Sequence, residues 1–498
     1  MPPYAPSKTV VNPTQVATQL TAGNAANSVA AYFTAPQGPD VPIPNLSPQQ
    51  AQQVYGLASS PLSLGYTGPL GIQVLGSQAQ TRRSSPINIV GCRVGVTRAS
   101  ATLGGLTLQG IGAYAGSRGN ALAVQTTVGG ATSAITSVIV VDTSAANAPV
   151  FAITSAQGDL SSWQAIADRI AGAQPVANPS SVVTVSAVNS ATAYPGVAVA
   201  APGTAFTGGL DGKGATASDP TIASLMQQSL AYRADYGWAA FDAAAIAPTV
   251  LAHLSAAIGS NNYRFFGLGA ATGTPYTTLA GSYTTPFLSD RLQCVGHDLA
   301  FMANPVTGAG DTYAGFYEAA ALVALKASGP RRVTCNKNQP LNGFTGFGNT
   351  GVTGPLSPSQ MDALGAAGLT VLRQTAANGP ITIRDNITTT PEYPAGSNNV
   401  NIFYQVSMRD VDNAVEYGLY QAVDPFSGQA RLDSSSDVAD ITYALNTAVA
   451  QMGDTTNGLG PGGIQLSIDP ATGRPQAAVN LLYPFPYGEI DITPIVSF

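Results

Sequence analysis

Charge is scarce in this chain, so the places where it gathers are the first to examine for chemistry. Arg409-Asp410-Val411-Asp412 is followed closely by Glu416. A sugar-cleaving site needs two carboxylates flanking a glycosidic bond, one as acid and one as base or nucleophile. On a helix, however, Asp412 and Glu416 stand four apart on one face, and Arg409 reaches Asp412 three positions on. That spacing predicts an ion-pair network at a surface or a subunit contact, where concentrated charge sets register and choice of partner.

His253 and His297 are the 2 histidines. His297-Asp298 has the residue types of a base and its orienter for a serine nucleophile. No Gly-x-Ser-x-Gly elbow accompanies it, and His253 falls in a helical stretch where packing is its plain role. The run Gly208-Gly209-Leu210-Asp211-Gly212-Lys213-Gly214 invites a phosphate-loop reading and fails it on spacing. Thr207 stands where the first glycine belongs, and Gly214 stands where a magnesium-binding Ser or Thr is needed. A tight turn ahead of a helix opening at Asp219-Pro220 accounts for these glycines. Cys92, Cys294 and Cys335 are far apart and have no zinc spacing. They read as buried thiols of a protein made in a reducing compartment. No enzyme activity, cofactor or metal is expected.

The composition points the same way. Charged residues make up 9% of the 498 positions, with 54 Gly and 36 Pro, against roughly 25% charge in an average soluble protein. A surface so poor in charge repels its copies weakly and suits a protein that lives packed against itself. Net charge is −6. Arg82-Arg83 and Arg331-Arg332 are the densest basic runs, too little for the counterion release that nucleic-acid binding needs. The start lacks the basic and apolar regions of a signal peptide. The richest apolar stretch, Trp238 to Ile258, is interrupted by Asp242, Pro248 and His253, so no membrane span is expected.

The elements that must position these residues are of mixed α/β type, in several domains. Residues 1–30 read as an extended arm. Residues 31–90, with a short helix near Pro48–Leu57, join 208–330 in a middle α/β domain. There helix and strand alternate: a helix from Pro220, a strand Tyr236–Phe241, a helix Ala245–Ile258, a strand Tyr263–Leu268 and a helix Thr312–Ser328. That rhythm predicts a partly parallel sheet with helices on its faces. Residues 91–207 carry short β-branched runs such as Ser137–Val141 and Val182–Val185, with one helix around Trp163, Ile166 and Ile170. They predict an inserted β-rich outer domain. Residues 331–483 form an inner unit: a helix from Ser357-Pro358, strands Leu369–Leu372 and Ile381–Arg384, helices Val406–Val423 and Ser436–Met452, and strands Ile464–Ile468 and Ala477–Leu482. Residues 484–498 are a terminal arm. In it Glu489, Ile490, Asp491 and Ile492 alternate polar and apolar with the two-residue period of a strand, and Ile495 lies beyond. A terminus that stays apolar to its end must be pinned, within its own domain or on a neighbouring subunit.

Several stretches together resemble the contractile tail sheath proteins of myophage-type viruses. They are Gly112–Leu122, with its glycine-rich run before a strand; the turn Thr207–Gly212; Pro305–Gly315; Asn336–Gly343; Gly365–Arg373 followed by Ile381–Thr388; and the helix entered through Met408–Asp412. Their order along the chain carries the resemblance. Arg384 before Asp385-Asn386, and the absence of an Arg-x-Asp after Tyr313, depart from the usual pattern.

The resemblance implies a structural subunit that stacks in six-fold rings around a rigid inner tube, between a baseplate and a tail terminator. It implies a virion tail assembled in the host cytoplasm. Terminal arms would add strands to neighbouring subunits, with Glu489, Ile490, Asp491, Ile492 and Ile495 donated and Arg409, Asp410, Asp412 and Glu416 at a contact. An extended state would convert to a shorter, wider one and drive the tube through an envelope, by bistable packing between subunits. A sheath of a phage-like bacteriocin or secretion device shares these features. A secreted carbohydrate-active enzyme is the alternative from another class.

Overall fold

The computed structural model describes residues 27–80, 86–129, 134–176, 178, 180–194, 198–328, 339–374, 379–391, 402–426 and 435–452, and the strands 464–468, 475–479, 481–485, 488–492 and 495–497. Residues 1–26 of the expected arm, both double-arginine runs, Cys335 and Phe498 lie outside the described residues.

A six-stranded sheet organises the middle domain, in the order Leu292–Val295, Phe265–Gly269, Tyr236–Asp242, Ser28–Phe33, Asn88–Arg93 and Ile43–Leu46. All neighbours are parallel except the last pair. Ser28–Phe33 is central and buried at every position, so the arm expected over 1–30 ends before residue 28. Its side chains alternate between two cores: Val29, Ala31 and Phe33 face one, Ala30 and Tyr32 the other. Strands covered on both faces are apolar throughout, which explains why this one shows no polar alternation.

Helix Phe316–Ser328 fills one face and is buried along its whole length. It packs against the sheet and, on its flank, against helix Gly68–Gln80. The expected helix from Thr312 begins only at Phe316, because Gly310–Ala314 is a strand paired with Leu299–Ala303. Helices Pro220–Ser229 and Ala243–Gly259 contribute to the core on the other face. Asp219 caps the first through Thr221 N at 2.9 Å, and Pro220 opens it as expected.

Helix Gly68–Gln80 was not foreseen, because Gly71 and Gly76 interrupt its pattern. The glycines answer to packing: a Cβ on Gly71 would run into the Trp238 ring, and one on Gly68 into the Phe33 ring. Trp238 is fully buried and donates its indole N–H to Phe316 O at 2.7 Å. Alanine at an exposed helix position gains about 1 kcal/mol over glycine. Gly71→Ala is instead expected to destabilise by about 1–3 kcal/mol through overpacking. Chemical denaturation checks this, and a stabilised variant would refute the packing.

The insert has its own core around Leu106, Leu108, Val138, Val140, Trp163 and Ile166. A sheet Val199–Ala205, Leu122–Gly129, Ala134–Asp142, Ala148–Thr154 and a three-stranded sheet Ser100–Leu103, Leu106–Gly110, Val183–Val188 enclose it with helix Trp163–Ala173. The inner unit joins the middle domain by ladder continuation. Thr370 N donates to Cys294 O at 2.8 Å and Gly296 N to Thr370 O at 2.9 Å. Val371–Gln374 then pairs with Ile381–Asp385, as the sequence suggested. Cys92 and Cys294 are free buried thiols, and burial pushes Cys92 up to about 12. Among the described residues no helix is long and apolar enough to cross a membrane.

Candidate assembly site

Helix Val406–Val423 brings Arg409, Asp410, Asp412 and Glu416 together as its spacing required. Arg409 Nη1 lies 2.5 Å from Asp412 Oδ2 and 3.6 Å from Glu416 Oε1, and Nη2 lies 2.9 Å from Asp290 Oδ2. The guanidinium also stacks 4.1 Å over the Phe403 ring. Arg291 Nη2 meets Glu416 Oε2 at 2.7 Å, and its Nη1 donates to Asn413. Asp410 accepts the Tyr236 hydroxyl at 2.6 Å and lies 3.7 Å from Lys326 Nζ.

The network exists, but its heart is not at a surface. The side chains of Arg409 and Asp412 are 8% and 5% exposed, and that of Asp410 is 5%. Tyr236 opens a central strand, Arg291 precedes the edge strand Leu292–Val295, and Lys326 is near the end of helix Phe316–Ser328. The charged helix therefore closes the ends at which the parallel strands begin and clamps the inner unit to the middle domain. Only Glu416 and Asp290, at 23% and 32% exposure, keep a rim within reach of another chain. Sequence reasoning found the helix side of the clamp. Its partners Asp290, Arg291 and Lys326 carry no signal, since each is remote in the chain. Arg409→Met should cost about 3–5 kcal/mol, because it takes the paired cation from the buried Asp412 carboxylate. Urea denaturation measures this, and a loss under about 0.5 kcal/mol, the size of a surface change, would refute the clamp.

The opposite ends of the strands are where open α/β sheets bind ligands, at the switch point of strand order. Here that point lies between Ser28–Phe33 and Tyr236–Asp242. The chain's own loops occupy it: Gly68 N donates to Thr34 O at 2.9 Å, and Thr34 N to Thr67 Oγ1 at 3.1 Å. Asp242 accepts from Ala245 N at 3.2 Å, from Ala271 N at 3.0 Å and from the Tyr283 hydroxyl at 3.0 Å.

His297 and Asp298 do not act as a pair. His297 Nδ1 is 2.9 Å from Asn349 Oδ1, and Nε2 accepts the Leu372 N–H at 3.1 Å. The ring thus stands in for a strand carbonyl where the ladder leaves Leu292–Val295. Asp298 accepts instead from Gly273 N at 2.9 Å, Thr350 N at 2.9 Å and Thr350 Oγ1 at 2.6 Å. His253 Nε2 sits 2.8 Å from Arg264 Nη1. Arg264, fully buried, donates to Ser229 O at 2.7 Å and Tyr232 O at 2.9 Å, at the negative end of helix Pro220–Ser229. Burial lowers His297 to about 4 and His253 to about 3.

A groove of about 520 Å³ is lined in part by Asp362, Arg384, Asp385 and Tyr404. Its two carboxylates are bridged by Arg384, which pairs with Asp362 and lies 3.3 Å from Asp385. They are not the separated, free pair that glycoside cleavage uses.

The terminal strand pairs within the chain. Gly488–Ile492 is antiparallel to Leu481–Phe485, with Tyr483 opposite Ile490, and Ile495–Ser497 pairs with Pro475–Val479. The single strand expected over Ala477–Leu482 is two strands. Among the described residues nothing pairs with the other edge of Gly488–Ile492.

No family model matches the sequence, and no curated protein does. Among solved structures, the sheath tail protein Lin1278 from Listeria innocua aligns with 97% of this chain and 99% of its own, at a TM-score of 0.60 and 11% identity. The contracted helical sheath of the anti-feeding prophage aligns with 100% of this chain and 96% of its own, at 0.44 and 10%. A chain of the anti-feeding prophage baseplate aligns with 57% and 71%, at 0.37 and 12%. The likeness to the Listeria protein shows one shared fold.

Proposed function

We propose that this chain is the structural subunit of a contractile tail sheath. It polymerises as stacked hexameric rings around an inner tube and contracts to drive that tube through an envelope. One observation carries the reading: the fold is shared over 97% of this chain and 99% of a sheath tail protein. The low charge of 9% supports it, as do histidines whose ring contacts are structural and a sheet whose ligand-binding end is filled by its own loops.

Assembly runs through the terminal strands. Gly488–Ile492 keeps its partner at home and has a second edge open among the described residues. Adding that edge to a neighbour's sheet supplies affinity through main-chain hydrogen bonds without long side chains. A head-to-tail contact of this kind builds a ring where its rotation closes and a helix where it does not. Tube, baseplate and terminator proteins are its further partners.

Negative-stain microscopy of the purified chain tests the reading. Tubes or stacked rings support it. A stable monomer with hydrolytic activity on carbohydrate would replace it with the enzyme alternative.

A further inference from the structure

The inserted domain leaves the middle domain after Arg93 and returns through the turn Thr207–Gly212. Two crossings alone would make a hinge, since domains joined by short linkers move unless an interface holds them. Here the crossings are tied to each other and to both bodies. Thr97 and Leu210 exchange two main-chain hydrogen bonds of 2.9 Å, and Ser100 and Thr207 exchange two more of 2.9 Å.

At the centre is a buried ion pair. Arg93 is 1% exposed, and its Nη2 meets Asp211 Oδ1 at 2.7 Å. The other guanidinium nitrogens donate to Ala35 O at 2.9 Å and Gly38 O at 2.5 Å in the middle domain, and to Ala115 O at 3.0 Å in the insert. Asp211 in turn accepts Ser117 N at 2.8 Å and the Ser117 hydroxyl. One arginine and one carboxylate therefore hold four chain segments. Asn120 seals the return strand by donating to Gly209 O at 3.0 Å and accepting Gly209 N at 2.9 Å. The backbones touch so closely that a Cβ on Gly209 would strike Gly116 O, and one on Gly212 would strike Val94 O. The turn that resembles a phosphate loop is built for this contact.

We infer that the Arg93–Asp211 pair is a latch that makes the inserted domain a rigid lever on the middle domain. The orientation of the insert is then fixed within one chain, and any rotation of the core is delivered undiminished to the periphery. The inference stands whether or not the chain forms a sheath.

Electron–electron distance measurements test it. Spin labels go at Ala171→Cys in the insert and Ser255→Cys in the middle domain, with Cys335→Ser, in full-length chain diluted with excess unlabelled chain. The unaltered latch should give one narrow distance distribution. Asp211→Ala should broaden it roughly twofold or more, while far-ultraviolet circular dichroism stays unchanged. Asp211→Asn, which keeps the size of the side chain and removes its charge, should broaden it to a lesser degree and serves if Asp211→Ala does not fold. A broad distribution with the latch intact, or a narrow one in Asp211→Ala or Asp211→Asn, overturns the inference.

Discussion

A chain ending at Tyr483 should fold, remain monomeric and form no tubes under conditions where the full chain polymerises. Removing residues 484–498 deletes the strands Gly488–Ile492 and Ile495–Ser497. What remains loses the two-stranded sheet of Leu481–Phe485 and the outer strand beside Pro475–Val479, but Ile464–Ile468 still pairs with Pro475–Val479, and the middle-domain sheet has no strand from this region. On the strand-donation reading the decisive loss falls on association. A strand addition of a few hydrogen bonds, each worth about 0.5–1.5 kcal/mol net, with the apolar side chains that accompany them, amounts to several kcal/mol per contact. Each 1.4 kcal/mol is tenfold in affinity, so losing the contact lowers subunit affinity by several orders of magnitude. Size-exclusion chromatography and microscopy read the result. Tubes formed by the shortened chain, or a chain that fails to fold, would refute strand donation. The first outcome would leave a sheath assembled by other surfaces.

Much of the architecture was legible because local rules and tertiary needs coincide. Asp219-Pro220 opens a helix as written. Ser357 forms a full capping box with Gln360. The i,i+3 and i,i+4 charges of the 406–423 helix meet as spaced. The misses share one cause, that the deciding partner is remote in sequence. Gly71 reads as a helix breaker until Trp238 lies over it. Ser28–Phe33 lacks alternation because both its faces are covered. The charged helix looked like a surface feature because Arg291 and Lys326 lie 118 and 83 positions before Arg409. Asp211 was read as part of a turn, and nothing in that turn announces Arg93. The Glu318 carboxylate gave no signal either, sitting in a largely apolar helix whose other charge is Lys326.

Glu318 and the two histidines together set a pH optimum that composition would not suggest. Glu318 is fully buried, and neither carboxylate oxygen meets a hydrogen-bond partner among the described residues. Burial, reinforced by the charge of Asp298, holds its carboxyl well above the usual range. The folded state therefore keeps a proton that the unfolded chain releases above about pH 4.3. Stability is full below that pH and falls as pH rises toward the folded value, by about 1.4 kcal/mol per unit. The histidines act in the opposite sense. Their folded values of about 3 and about 4 lie below the ordinary 6.5, so their contribution is complete above about pH 6.5. As pH falls, the unfolded chain gains two protons that the folded one refuses, and stability drops by about 2.7 kcal/mol per unit. Between pH 4.3 and 6.5 the histidines outweigh the glutamate two to one; above 6.5 only the glutamate acts. The maximum should therefore lie near pH 6.5, with a net acid limb of about 1.4 kcal/mol per unit over the first units, as steep as the alkaline one is at first. Glu318→Gln should flatten the alkaline limb and steepen the acid limb about twofold, to the roughly 2.7 kcal/mol per unit of the histidines alone. Glu318→Met should do the same and also add about 1–3 kcal/mol at pH 8 by removing an unsatisfied buried polar group. Urea denaturation from pH 4.5 to 8.5 decides between these outcomes. An alkaline limb unchanged in Glu318→Gln would show that the carboxyl ionises in the folded chain as readily as in the unfolded one.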